Sequence, residues 1–200
     1  MPDWDDRYGS PDFVFGTEPN DFLVTASACL PPRGLVVSLG EGEGRNGVFL
    51  AEQGFQVIAI DGSAVGLEKA KRLAASRNVA IEAIAGDLAD IPFPMADGII
   101  SIFCHLPSVL RRDVYRRAKA ALRPGGIFIL EAYHPDQIGR GTGGPSDPDM
   151  LIRWDDLQND WADCERILGQ EIIREVNEGP AHHGMVAVTQ AIFRKPSRES

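Results

Sequence analysis

Three glycines alternate with acids directly after an apolar run. Val36-Val37-Ser38-Leu39 leads into Gly40-Glu41-Gly42-Glu43-Gly44-Arg45-Asn46. Two further acids, Asp61 and Asp87, each stand just past another apolar run. Ligands of open parallel sheets bind outside the carboxyl ends of the strands, so this spacing describes a site for a nucleotide-type molecule. Glycine supplies backbone angles closed to other residues and lets a ligand approach the main chain. Asp61, followed by Gly62 and Ser63, stands where a carboxylate accepts from both hydroxyls of a ribose. Asp87 can accept from an adenine amino group while Leu88 packs on the ring. The competing reading makes both acids turn residues or helix caps. Their occurrence at adjacent strand ends beside the glycines favours the site.

The loop charges discriminate between cofactors. Gly42-x-Gly44-x-x-Gly47 also spells a dinucleotide fingerprint, but it begins too far past the strand end at Leu39. A pyrophosphate in this loop would face one or two carboxylates, Glu41 and Glu43. At ~4 Å and an effective dielectric near 20, each like-charge contact costs about 4 kcal/mol. S-adenosylmethionine instead brings a sulfonium and an ammonium, which a carboxylate attracts. Of the two, Glu41 is the candidate to face a ligand, and Glu43 reads as solvated.

Groups that could handle an acceptor are His105, Tyr133, His134, His182 and His183. His105 and His134 each follow a parallel strand at its carboxyl end. The competing and favoured reading of each is a hydrogen-bonded loop histidine, and of His182-His183 part of a turn. The separations of His105, His134 and His182 fit no compact zinc pattern, so no metal is expected. Cys104 reads as a small buried residue rather than a reactive thiol. Gly139 to Gly144 lacks the Lys-Ser/Thr of a phosphate-binding loop. Arg111, Arg112, Arg116, Arg117 and Lys119 read as one solvated helix face. Trp4, Phe13 and Phe15 serve either arm packing or substrate cover.

These groups need a frame, and the hydrophobic pattern supplies one. Strands are expected at Leu35–Leu39, Gln56–Ile60, Ala80–Ala85, Gly98–Cys104 and Ile127–Leu130. Helices are expected at Arg45–Gln53, after a Ser63 cap, from Pro107 to a Pro124-Gly125-Gly126 stop, and at Trp154–Trp161. Leu110, Val114, Ala118, Ala121 and Leu122 form the buried stripe of the third of these. Residues 3–20 read as an irregular arm before a short helix at Asp21–Leu30, 137–149 as a long loop or lid, and 195–200 as a tail. Arg166–Val176 and Met185–Phe193 read as two strands that pair as a hairpin at the sheet edge. Alternating strands and helices predict an α/β fold: a Rossmann-like, doubly wound, mostly parallel seven-stranded sheet with helices on both faces and a C-terminal antiparallel hairpin.

Two hundred residues at 44% hydrophobic content suit one globular domain over 1–200. The net charge of -9 disfavours a nucleic-acid partner. Three scattered cysteines (Cys29, Cys104, Cys164) suggest neither a disulfide framework nor a metal site, and suit a reducing cytoplasm. The acidic start Met1-Pro2-Asp3-Trp4-Asp5-Asp6 lacks the pattern of a signal peptide, and no apolar run approaches the ~20 residues of a membrane span. The expected partner is a small-molecule acceptor, with neither nucleic acid nor membrane, on a monomer or weak homodimer.

With those residues in place, the chain resembles the class I S-adenosylmethionine-dependent methyltransferases. Within them it is most similar to small bacterial proteins grouped with tellurite-resistance and thiopurine methyltransferases. The resemblance rests on Gly40 to Asn46, Asp61, Asp87-Leu88, Ser101 to Pro107 and Leu122 to Gly126. Trp4 to Tyr8 and Gly16 to Asn20 match the arm, and Thr142 to Pro145 and Glu178-Gly179 with His182 match later segments. It implies that Gly40, Glu41 and Gly42 hold the methionine part, Asp61 the ribose, and Asp87 with Leu88 the adenine. Cys104 and His105 would then line the floor beside the sulfonium, while Tyr8 and Phe15 close the arm. Asn46, Gly62 and Ser63 complete the implied cofactor site. The superfamily often carries an acid two residues before the first glycine; here that residue is Ser38, and its role would pass to Glu41 or to backbone groups. The resemblance implies methyl transfer to a small acceptor, among them soft sulfur, selenium or tellurium nucleophiles and thiopurines. The alternatives are an NAD(P)-dependent oxidoreductase and a non-catalytic cofactor-binding module.

Overall fold

The computed structural model describes residues 4–179 and 183–197. Five parallel strands form most of one sheet: β1 (Leu35–Leu39), β2 (Gln56–Asp61), β3 (Glu82–Ala85), β4 (Ala96–Ile102) and β5 (Leu122–Tyr133). Two antiparallel strands complete it, β6 (Glu165–Asn177) and β7 (His183–Arg194). The order is β3-β2-β1-β4-β5-β7-β6. The order reverses between β1 and β4, so the connections leaving their tips diverge and open a crevice there.

Helices α3 (Arg45–Glu52), α4 (Ala64–Ser76) and α5 (Ser108–Ala121) make the crossovers. Strands β1, β2 and β4 bury both faces, which is why they read as continuous apolar runs. Val36 packs with Leu23, Leu50 and Val57 on one side, and Val37 with Val114, Ala118 and Trp161 on the other. Ser63 caps α4 as expected, its hydroxyl accepting from the Gly66 amide at 2.9 Å.

Several expectations need correction. The arm is not wholly irregular, because Trp4–Tyr8 forms a helix, α1. Tyr8 on its last turn is buried against the glycine loop and anchors it. The strand expected at Gly98–Cys104 is Ala96–Ile102. Phe103 adopts φ of 52°, a left-handed turn that ends the ladder early and swings Cys104 across the glycine loop. Pro124-Gly125-Gly126 does not stop α5. The helix has already ended at Ala121, and a bulge between the pairs Ala96–Leu122 and Gly98–Ile127 absorbs those residues into β5. Leu122 therefore belongs to a strand. The terminal hairpin lies at the sheet edge as expected, with β7 between β5 and the edge strand β6.

The basic residues of α5 are not one solvated face. Arg111 is buried and donates to the carbonyls of Asp149 and Leu151. Arg117 donates to the carbonyls of Leu88 and Ile91, and Lys119 to that of Asp160. These long side chains have apolar stems that pack and charged heads that tether neighbouring loops. No helix among the described residues is long and apolar enough to cross a membrane.

Candidate active site

The glycine loop leaves β1 with Gly40 and Gly42 both in the left-handed region, φ 66° and 62°. A Cβ on Gly40 would stand 2.7 Å from Cys104 Sγ, and one on Gly42 2.7 Å from Tyr8 Oη. Only glycine meets both the angle and the close approach. Gly42 thus lies beneath the arm, while Gly40 faces the crevice.

The two loop acids have opposite fates. Glu43, expected to be solvated, is buried; its carboxylate is 2.5 Å from Lys69 Nζ and accepts from the Val14 amide at 2.8 Å. It fastens the arm to α4, and Lys69 cancels its charge. Glu41 is buried without such a partner. One oxygen accepts from the Gly47 amide at 2.7 Å, and the other has no hydrogen bond among the described residues. Burial pushes its carboxyl up to about 7, against the pull of Ser38, the Gly47 amide and Arg45. The repulsion argument for the loop therefore rests on one carboxylate, partly ionised near neutrality, and not on two.

Asp61 ends β2, where its two oxygens accept from the amides of Gly42 and Ser63, both at 2.7 Å. Burial raises its pKa, and those two amides oppose the rise. Each oxygen keeps a second lone pair for a ligand hydroxyl. Asp87 is exposed, accepts from the Ala89 amide at 2.8 Å, and stands beside buried Leu88. Both acids therefore make local turn bonds and also face the cavity.

One cavity of about 710 Å³ brings the pieces together. Of the sequence-derived cofactor residues, Gly40, Glu41, Asn46, Asp61, Gly62, Asp87, Leu88, Cys104 and His105 line it. Gly42 and Ser63 support it from behind, Ser63 through its cap and a bond to Asp5. The arm contributes Trp4, Arg7, Tyr8 and Phe15, so it covers the cavity, whereas Phe13 packs beneath with Val48 and Leu73. The 137–149 segment adds residues 143–147 to the wall.

The acceptor-side candidates separate. His105 and Tyr133 line the cavity with rings stacked at 5.1 Å. His105 Nε2 accepts from the Tyr133 amide at 3.3 Å, which places its proton on Nδ1. Burial first, then Glu178 and Glu131, raises the Tyr133 phenol well above its ordinary range, so it holds its proton. Burial likewise pushes the Cys104 thiol up to about 12, which removes it as a nucleophile near neutrality. His134 is a correction: it does not reach the cavity. It caps a short turn by accepting from the Asp136 amide, and its Nε2 lies 3.3 Å from Glu171. His183 is exposed at the start of β7, and His182 lies outside the described residues.

Sequence reasoning missed a buried ionic cluster beside this cavity. Arg174 pairs with both oxygens of Glu131 at 2.7 Å each and with Glu178 at 3.2 Å. Asn20 donates to Glu131 and Glu178, and Gln190 donates to Glu131. Arg45 joins through Glu178 at 2.7 Å. The one available signal was Glu131 itself, a lone acid in Ile127-Phe128-Ile129-Leu130-Glu131-Ala132. A fully buried carboxylate demands a cation.

Comparison with known proteins agrees with this geometry. A family described as a methyltransferase domain matches residues 36–126. A cypemycin N-terminal methyltransferase from Streptomyces sp is 28% identical over 113 residues, 54% of this chain and 45% of that protein. The match thus spans less than half of that curated relative. A structure solved in work on the conversion of a disulfide bond into a thioacetal group during echinomycin biosynthesis superposes with a TM-score of 0.79. It is 17% identical and covers 98% of this chain and 92% of its own. TehB from Haemophilus influenzae superposes at 0.73 with 19% identity, covering 96% of this chain and 65% of its own. Residues 36–126 therefore match a methyltransferase-domain family, and the sheet as a whole shares the fold of these solved structures.

Proposed function

We propose that this chain is an S-adenosylmethionine-dependent methyltransferase acting on a small acceptor. The observation that carries the reading is the convergence of Gly40, Glu41, Asp61 and Asp87, from three consecutive strand ends, on one covered cavity. When bound, the cofactor supplies an activated methyl group on a sulfonium. The chain's own work is then alignment, with reacting atoms held about 3–3.5 Å apart, and exclusion of water. Tyr8 and Phe15 cover the cofactor half, and Asp61 orients the ribose. The stacked His105–Tyr133 pair and Phe103 form an aromatic wall for the acceptor.

Among acceptors, the reading favours a soft nucleophile such as a thiol, a selenide or reduced tellurium species, or a thiopurine. The His105 Nε2 lone pair is engaged, the Tyr133 phenol keeps its proton, and His134 stands elsewhere. Such a constellation suits an acceptor that needs no proton removed, and the aromatic wall suits a polarisable one. The name of the Streptomyces relative favours a second reading, an amine acceptor. A product-resolved methyl-transfer assay over thiols, chalcogenides, thiopurines and peptide amines tests both. Methylation confined to the amines overturns the soft-acceptor reading, and no methylated product with intact S-adenosylhomocysteine binding favours a non-catalytic module. Parallel calorimetry with S-adenosylhomocysteine and NADH tests the cofactor; heat from NADH alone would return the chain to dinucleotide chemistry.

A further inference from the structure

The ladder between β5 and β7 ends with the pair Tyr133–Val188. The segment after β5 then takes the strand's place along β7. The His134 amide donates to the Ala187 carbonyl at 3.0 Å, the Gln137 side-chain oxygen accepts from the Ala187 amide at 2.9 Å, and the Thr142 hydroxyl donates to the Met185 carbonyl at 2.9 Å. Gln137, only 3% exposed, also reaches forward. Its side-chain nitrogen donates to the Thr142 hydroxyl and to the Gly143 carbonyl, both at 2.9 Å. Glutamine carries an acceptor oxygen and two donor hydrogens on one stem, and here they serve three partners.

Those forward bonds end where the cavity begins, since residues 143–147 are this segment's share of its wall. None of residues 138–149 is buried. A stretch with so little packed surface depends on polar ties to keep one conformation. Gly144, at φ 97°, shows what the ties achieve: a Cβ there would stand 3.0 Å from the Tyr133 ring and 3.3 Å from Gln137 Cγ. Tyr133 in turn stacks on His105 in the aromatic wall. We propose that Gln137 is the positioning residue of the acceptor half of the cavity. It does not line the cavity itself. Its side-chain amide holds residues 143–147 against Tyr133, so that an acceptor ring meets a fixed wall and not an open loop. This role rests on the cofactor reading above and adds to it the residue that shapes the other half.

The test is calorimetry on the full chain with two inert analogues of S-adenosylmethionine. Both have nitrogen in place of sulfur; one carries a methyl group on it and the other a benzyl group. Only the benzyl ring extends into the acceptor half. The wild type should prefer the benzyl analogue by about tenfold, the scale of one aromatic contact. Gln137→Glu keeps the oxygen that the Ala187 amide needs, loses both donors and turns its second oxygen toward the Gly143 carbonyl. It should cut the preference to about twofold or less, the loss expected of one or two hydrogen bonds, and leave the affinity for the methyl analogue unchanged. That split separates positioning from general support of the fold, whose loss would weaken both analogues alike.

A benzyl preference retained in Gln137→Glu overturns the proposal, and so does an equal weakening of both analogues. Should Gln137→Glu not fold, Thr142→Val decides. It spares the Ala187 bond and removes one forward bond together with the bond to Met185. It should reduce the preference to about threefold, and an unchanged preference there overturns the proposal as well. A wild type that binds the two analogues equally has no built wall for a ring, which refutes the positioning role and leaves the cofactor reading intact. A wild type that binds neither analogue refutes the cofactor reading and the positioning role with it.

Discussion

The glycine loop and the ionic cluster beside it are built from the same residue types and meet at Arg45, yet they are finished differently. In the cluster, Glu131 accepts from Arg174, Asn20 and Gln190, so its charge is neutralised and its oxygens are occupied. In the loop, Glu41 and Asp61 are held mainly by backbone amides, which fix a carboxylate without cancelling its charge. Complete pairing fastens strands β5 and β6, the arm and α3 to one another. Incomplete pairing leaves capacity for a ligand. Burial alone does not separate the two regions; saturation of the polar atoms does.

Breaking the saturated side should have the largest effect. Arg174→Ala leaves Glu131 buried without its cation and should cost about 3–5 kcal/mol of stability, read from the urea midpoint. A loss under about 1 kcal/mol would mean that water replaces the guanidinium and that the cluster is no fastening. On the unsaturated side, Asp61→Ala should weaken S-adenosylhomocysteine by about 1–3 kcal/mol in calorimetry. Unchanged affinity in a folded variant would remove Asp61 from the site.

Glu41 sharpens the contrast through pH. Its carboxyl ionises near 4.5 when unfolded and at about 7 when folded, so the folded chain binds the extra proton between those values. Wild-type stability from this group is full below about 4.5 and lost as pH rises through about 7. Glu41→Gln should therefore gain on the wild type in urea melts at pH 8 and show little gain at pH 5; equal gaps at the two pH values would contradict the burial of an uncompensated acid. The smallest effect belongs to neither region. Arg116→Ala breaks an exposed pair with Asp113 and should change stability by about 0.5 kcal/mol or less, in the same melts.

The frame was legible because its signals are local. The apolar runs at β1, β2 and β4, the turn glycines and the Ser63 cap all act within a few residues, and they placed Gly40, Asp61 and Asp87 correctly at strand ends. Boundaries failed where a tertiary bond decided them. Phe103 turns to a left-handed conformation directly after its amide makes the last ladder bond to the Glu131 carbonyl, and Pro124 to Gly126 lie in the bulge between the pairs Ala96–Leu122 and Gly98–Ile127. The acceptor side was least legible, since His105 and His134 both stand just past the carboxyl ends of neighbouring strands and only packing sends one into the cavity and the other to Glu171.

From sequence alone came the alternation of strands and helices, the glycine loop and the acids that follow successive strands, because backbone angle and hydrophobic period are properties of neighbouring residues. Tertiary structure alone decided which buried acids find a cation. Lys69 reaches Glu43 from another helix and Arg174 reaches Glu131 from another strand, while Glu41 has no ion pair among the described residues. Electrostatic pairing is set by distance through space, and distances through space between residues far apart in the chain exist only once it has folded.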